Sequence, residues 1–249
     1  MSKLEIIKPT AHGTRFNNLC ALGIMTKAPV AGKVKTRLSP PLTPEEAAAL
    51  NVCFLRDLSE SIVCAARNTG AVGVGVYTPI GSEAAYDGIL PKNFVLLSQR
   101  GEGFGTRLFN AVSDLLVAGF GSVCLINSDS PTVPVSSFAQ AANELAKPGD
   151  RLVLGPSDDG GYYLIGVKKL HSRLFEHIDW STERVLEQTI ERAKEIALSL
   201  HLLPSGFDVD DERTLRRLCD ELLDDNRPSG IAPHTRGFLR QIVQRGGHD

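Results

Sequence analysis

Apolar residues fall along the chain in short blocks with two different periods. LCALGIM (residues 19–25), AVGVGVY (71–77), NFVLLS (93–98), SVCLIN (122–127), RLVLGP (151–156) and GYYLIGV (161–167) are near-continuous apolar runs of strand length. That is how strands covered on both faces read. A shorter run near His201–Leu203 predicts one more strand. Between these runs the spacing changes. Ala47, Leu50, Phe54, Leu58 and Ile62 recur as one face of a helix that extends to about Asn68. Its start is signalled by Thr43-Pro44-Glu45-Glu46, which offers an N-cap, a proline at the first helical position and a capping box. Further helices are predicted from about Gly105 to Val117, from Pro134 to Ala146, and over 181–198, 211–224 and 233–244, with Ser181 as the N-cap of the fourth.

Strands alternating with helices predict an α/β chain around a mostly parallel, doubly wound sheet. Residues 1–18 mix charge and polarity without a period and read as a flexible arm, leaving 19–249 as a single domain. No internal repeat, low-complexity tract or compositional linker interrupts it.

Composition narrows the function classes. The chain has 249 residues, 42% of them hydrophobic, and a formal net charge of −2, so it lacks the basic field of a nonspecific nucleic-acid binder. No run of about 18 apolar residues predicts a membrane span, and the N-terminus lacks the apolar core of a signal peptide. The five cysteines are scattered without metal-ligand spacing and read as buried thiols of a cytoplasmic protein. The six histidines form no ligand pair and no hydrolase triad.

Positive charge is instead local. Lys27, Lys33, Lys35 and Arg37 crowd the segment MTKAPVAGKVKTRL, directly after the first long apolar run. In an open parallel sheet, ligands bind beyond the carboxyl ends of the strands, and a Gly/Pro loop rich in cations there can hold a polyphosphate. The spacing is not that of a Walker A loop, and a solvated basic loop is the plain alternative. Three acidic stretches also follow apolar runs. Asn127-Ser128-Asp129-Ser130 ends SVCLI and could place a carboxylate on Mg²⁺ or Mn²⁺, or be a simple turn. Asp158-Asp159-Gly160-Gly161 could admit a ligand to the backbone, or form a hairpin turn. In FDVDDE, Asp208 and Asp210 share a side if extended and could share a cation. Helix N-capping by Asp210 or Asp211 would use one of these acids. QRGEGFGTRL lacks dinucleotide spacing, although Arg107 could touch a nucleotide. A lone Trp180 before Ser181 more often packs than stacks.

Taken in order, KAPVAGKVKTRL, QRGEGFGTRL, NSDSP, GPSDDGGYYLIG, the Trp-Ser-Thr at 180–182 and FDVD resemble the nucleotide-diphospho-sugar transferase superfamily. They also resemble the small bacterial DUF2064, or rSAM/selenodomain-associated transferase 1, family. KTRLSPPLTPEEAAAL is also similar to phospholactate guanylyltransferases. The resemblance covers roughly residues 20–215. It implies a three-layer α/β/α, GT-A-like fold with a mostly parallel mixed sheet, a nucleotide-sugar or nucleoside triphosphate donor, a small-molecule acceptor, and Mg²⁺ or Mn²⁺.

It also implies roles. Lys27, Pro29, Gly32, Lys35, Thr36, Arg37, Arg107, Ser128, Gly160 and Gly161 would hold the nucleotide and its phosphates, with Lys35 and Arg37 favoured over Lys33. Asp129 would hold the ion with Asp208 or Asp210, and Asp158 or Asp159 would contact the sugar or act as base. Glycosyl transfer is the leading expectation, nucleotidyl transfer the second, and a non-catalytic nucleotide-binding protein the third. Ser130, where cysteine or alanine would be as usual, is expected to change little. Nothing in the sequence specifies an oligomeric state.

Overall fold

The apolar runs assemble into one eight-stranded sheet in the computed structural model, which describes residues 3–9, 15–224 and 230–246. In chain order the elements are β1 (Glu5–Ile6), β2 (Cys20–Lys27), α1 (Pro44–Ala66), β3 (Ala71–Thr78), β4 (Val95–Ser98), α2 (Phe104–Val117), β5 (Ser122–Ile126), α3 (Val135–Ala146), β6 (Arg151–Pro156), β7 (Tyr162–Val167), α4 (Val185–Glu195), β8 (Ser199–Leu202), α5 (Glu212–Leu223) and α6 (Pro233–Gly246). The strand order is β1-β4-β3-β2-β5-β7-β6-β8. All neighbours run parallel except around β7, which is antiparallel to both β5 and β6.

Two apolar layers cover the faces, giving three layers in all. One packs Leu55, Leu58 and Ile62 of α1 and Phe138, Ala141 and Leu145 of α3 against the sheet. The other packs Leu108, Val112 and Leu115 of α2, with Ala193 of α4, against the opposite face. A third cluster joins Leu50 and Phe54 of α1 to Leu215, Leu218 and Leu222 of α5 and Leu239 of α6. The helix α1 starts as its sequence predicts. Thr43 Oγ accepts from Glu46 N–H, and Glu46 returns the bond to Thr43 N–H at 2.9 Å, a cap worth about 1 kcal/mol. No helix among the described residues is long and apolar enough to cross a membrane.

Three expectations are corrected. Within the stretch expected as an arm, Glu5–Ile6 pairs parallel with β4, Ile7 is buried, and Phe16 stacks on Phe120 with centroids 4.3 Å apart. The strand is too short to show a period among its charged neighbours. Residues 1–2 and 10–14 of that stretch, and 225–229 and 247–249 of the expected domain, lie outside the described residues. Ser181 is not an N-cap: its φ is 66°, and α4 begins later, after Arg184. The five cysteines are free but not all buried. Cys20 and Cys124 are in the core, whereas Cys64 faces outward from α1.

The strand order sets the position of any ligand. From β2 the chain crosses to β3 on one side, and only later to β5 on the other. The loops after β2 and β5 therefore diverge, and the crevice between them is the switch point where ligands bind in open α/β sheets.

Candidate active site

The loop after β2 is pinned by its apolar residues. Val34 and Leu38 are buried, Leu38 in the cluster under α1, and this leaves Lys33, Thr36 and Arg37 turned outward. Gly32 sits in the exposed turn that Lys33 N–H closes on Val30 O at 2.9 Å. Lys35 behaves differently from its neighbours. Its backbone is left-handed, with φ 49°, and its side chain is only 6% exposed. The ammonium donates to Val209 O at 2.8 Å and Asp210 Oδ1 at 3.1 Å, and lies 2.5 Å from Asp129 Oδ1. The ammonium thus makes two hydrogen bonds and an ion pair with a second carboxylate. Arg37, 73% exposed, reaches Asp210 Oδ2 at 3.0 Å.

The loop after β5 meets the 207–211 segment from the other side. Val209 N–H donates to Asp129 O at 2.9 Å, and Phe207 and Val209 are buried, so Asp208 and Asp210 alternate out of the core. Asp211 takes the capping role, its carboxylate accepting from Thr214 N–H at 2.8 Å. That leaves the other two acids for different partners.

Asp208 is the most constrained group here. Its Oδ1 accepts from Ser130 Oγ at 2.6 Å, Asn127 Nδ2 at 2.8 Å and Ser157 Oγ at 3.0 Å. Burial, followed by the nearby charges of Asp129 and Asp159, still pushes its pKa from 3.8 to about 6, against the lowering effect of the two serines. The expectation that Ser130 matters little is thereby corrected: its hydroxyl holds this carboxylate, which neither cysteine nor alanine would do as well.

Two cavities meet at Asp129. A basic one of about 290 Å³ is lined by Lys27, Lys33, Lys35, Thr36, Arg37 and Asn51, with Ser128, Asp129 and Asp210 at its floor. A larger one of about 550 Å³ is floored by Asp129, Asp159 and Asp208 and bounded by Gly161 and Trp180. The structure thus brings together Lys27, Lys35, Thr36, Arg37, Ser128, Asp129, Asp159, Gly161, Asp208 and Asp210.

It separates others. Asp158 lines neither cavity, because Arg217 of α5 pairs with it at 2.7 Å. Arg107 and Pro29 line neither, and the Arg107 Nε is buried without a hydrogen-bond partner. Gly160 serves packing: with φ 85°, it faces Glu183 O, which would lie 2.1 Å from an added Cβ. Asn51 is the residue that sequence reasoning missed. It is 4% exposed, its Oδ1 has no partner, and it lies on α1 among the core positions. A polar residue three before Phe54 on the buried stripe was the available signal.

The carboxylates fit a hard divalent ion in part. Asp129 and Asp208 converge with Asp159 on one cavity, and their mutual repulsion is what an ion would relieve. Asp210, expected as a ligand, has both oxygens taken by Lys35 and Arg37. Among the described residues, no group of three or more His, Cys, Asp or Glu side chains has metal-holding geometry. Any ion here would need oxygen ligands beyond these carboxylates.

The comparisons with known proteins agree with this architecture. A sequence profile of the bacterial family described as "Uncharacterized protein conserved in bacteria (DUF2064)" matches residues 62–182. No curated protein matches the sequence. Among solved structures, a candidate nucleotide-diphospho-sugar transferase from Desulfovibrio desulfuricans G20 is 27% identical over 90% of this chain and 95% of its own, with a TM-score of 0.78. Two others share the fold alone. A nucleotidyl transferase from Methanothermobacter (15% identity, 84% of this chain and 100% of its own, TM-score 0.55) is one. A cytidylyltransferase from Leptospira borgpetersenii serovar Hardjo-bovis (11%, 93% and 96%, 0.52) is the other. The resemblance to the DUF2064 family and to nucleotide-diphospho-sugar transferases, first carried by the motifs, is therefore borne out by a sequence profile and by the fold.

Proposed function

We propose that this chain is a transferase that takes a nucleotide-activated donor and moves its glycosyl group to a small hydroxyl-bearing acceptor with the aid of Mg²⁺ or Mn²⁺. One observation carries the reading. The buried Lys35 ammonium bridges the basic loop to Asp129 and Asp210, so a phosphate-facing half and a carboxylate half form one continuous site.

Lys27, Lys33, Thr36 and Arg37 face the donor's diphosphate. Lys35, bonded to Val209 O and Asp210 and ion-paired with Asp129, holds the loop in register and supplies charge at short range. Asp129 and Asp208 would hold the ion, which when bound offsets charge building on the leaving phosphate. Asn127, Ser130 and Ser157 fix the Asp208 carboxylate for that purpose. Asp159, whose Oδ1 accepts from Gly161 N–H at 2.9 Å, serves as base. The acceptor oxygen bonds to the anomeric carbon as the bond from that carbon to the β-phosphate oxygen breaks. The hydroxyl proton passes to Asp159, and a nucleoside diphosphate leaves.

Nucleotidyl transfer is the second reading. Lys27, Lys33, Lys35 and Arg37 line the cavity of about 290 Å³ together with Asp129 and Asp210, and a nucleoside triphosphate would meet the same cations as a nucleotide-sugar. The two readings differ in their products. A thermal-shift panel of UDP-, GDP-, ADP- and dTDP-sugars and free triphosphates, with and without Mn²⁺, identifies the donor. Turnover then releases a nucleoside diphosphate or pyrophosphate respectively. If no nucleotide raises the melting temperature under either condition, the transferase reading falls.

A further inference from the structure

Beside the acid-floored cavity lies another that neither phosphate binding nor ion binding explains. It occupies about 480 Å³ between the first turns of α2 and segment 172–180, and four aromatic rings wall it: Phe104, Phe109, Phe175 and Trp180. The rings are arranged in two edge-to-face pairs. Phe104 meets Trp180 with centroids 5.7 Å apart at 77°, and Phe109 meets Phe175 at 5.7 Å and 79°. Phe104 is 44% exposed, although an aromatic ring gains most when water is removed from it.

Phe104 and Trp180 also line the cavity that holds Asp129, Asp159 and Asp208. The two spaces therefore share these two rings as a wall. Trp180 is held there by unusual means. A side chain at Gly105 would place Cβ 2.1 Å from the indole Nε1, and the next residue, Ser181, has φ 66°, a conformation that costs energy in a non-glycine residue.

We infer that this aromatic cavity receives the acceptor, and that the acceptor is a hydroxyl compound built on a flat, uncharged aromatic ring. The inference deepens the transferase reading and rests on it. Four ring faces and edges suit another ring by stacking and edge contacts. The one acid at the rim, Glu176, is already paired with Arg173 at 3.2 Å, so no free carboxylate calls for a cation there. With its ring seated past Trp180, the acceptor's hydroxyl reaches the neighbouring cavity. There its oxygen bonds to the transferred carbon, its proton passes to Asp159, and the carbon's bond to the departing diphosphate breaks.

Trp180 is the only tryptophan in the chain, so emission excited at the red edge, where tyrosine does not absorb, reports on this junction alone. The test titrates the full-length protein with 2-phenylethanol and, in parallel, with glycerol. The expected result is a saturable change of Trp180 emission with 2-phenylethanol, none with glycerol, and a tenfold or greater loss of affinity in Phe109→Ala and Phe175→Ala. Phe109→Leu and Phe175→Leu, which keep most of the volume and the fold, should show a smaller loss in the same direction. A linear, non-saturating response, or equal affinity in native protein and all four variants, overturns the inference. Nucleotide-dependent thermal shifts measured on the same samples separate the two readings. Donor binding that persists while 2-phenylethanol fails to saturate refutes the acceptor site only. Saturable 2-phenylethanol binding with no nucleotide response refutes the transferase reading and the acceptor role with it.

Discussion

Replacing Asp208 with asparagine should make the ligand-free protein more stable while disabling the site. The Asp208 carboxyl titrates near 3.8 when exposed and at about 6 in the fold, chiefly because burial disfavours its charge and secondarily because Asp129 and Asp159 repel it. Between those two values the folded state binds more protons than the unfolded one, so stability falls as pH rises across the interval and stays lower above it. A difference of about 2 in pKa, at about 1.4 kcal/mol for each, gives a cost of about 3 kcal/mol at pH 8 as an upper bound. Asparagine keeps an oxygen for Ser130 and Ser157 and carries no charge. Asp208→Asn is therefore expected to gain about 2–3 kcal/mol at pH 8, or on the order of 5–10 °C in melting temperature for a chain of this size, and clearly less at pH 5. Urea unfolding at the two pH values measures it, and Mn²⁺ should stabilise the native protein at pH 8 but not the variant. A variant less stable than native at pH 8, or a gap that is the same at both pH values, would show that the carboxylate is not held against its own charge.

Further outcomes follow from the same geometry. Asn51→Leu removes an unpartnered buried oxygen, so unfolding should show it unchanged or about 1 kcal/mol more stable, while nucleotide affinity measured by titration falls about tenfold. Lys35→Met leaves Asp129 and Asp210 without their shared partner and should cost about 2 kcal/mol or more in urea unfolding. Arg37→Ala, at an exposed pair, should cost less than about 1 kcal/mol yet weaken donor binding in a thermal-shift titration. Gly160→Ala forces a left-handed residue against Glu183 O and should lose about 3 kcal/mol or more, with a shift of Trp180 emission reporting the displaced segment.

Where the sequence was informative, the cause is local. The capping box at Thr43 and Glu46 involves residues three apart, and the strands from β2 to β7 announce themselves because both of their faces are covered. The acid at 129 is found by the same logic, since it follows a buried run, and Asp208 by its alternation with Asp210 about Val209. What the sequence hides depends on partners distant along the chain. That Asp158 is drawn off by Arg217, 59 residues away, while Asp159 stays in the cavity cannot be told from two adjacent identical letters. Nor does the Gly160-Gly161 pair reveal that one glycine admits the backbone of Glu183 and only the other borders the cavity.

The same distinction explains why the candidate site outruns its sequence match. The family profile spans residues 62–182, which include Asp129 and Asp159 but neither the basic loop nor Asp208 and Asp210. Those outer parts join the matched part through Lys35. Its ammonium, 174 residues from Val209 and 94 from Asp129, touches both. A charge only 6% exposed is costly unless it is paired, and the left-handed Lys35 delivers its ammonium to two hydrogen-bond acceptors and the Asp129 carboxylate. The basic loop therefore does two things with one run of cations. Lys35 ties the basic loop to Asp129 and Asp210, while Lys27, Lys33 and Arg37 line the cavity, Arg37 paired with Asp210. Nucleotide affinity should accordingly follow the exposed cations one by one, whereas loss of Lys35 should remove affinity and stability together.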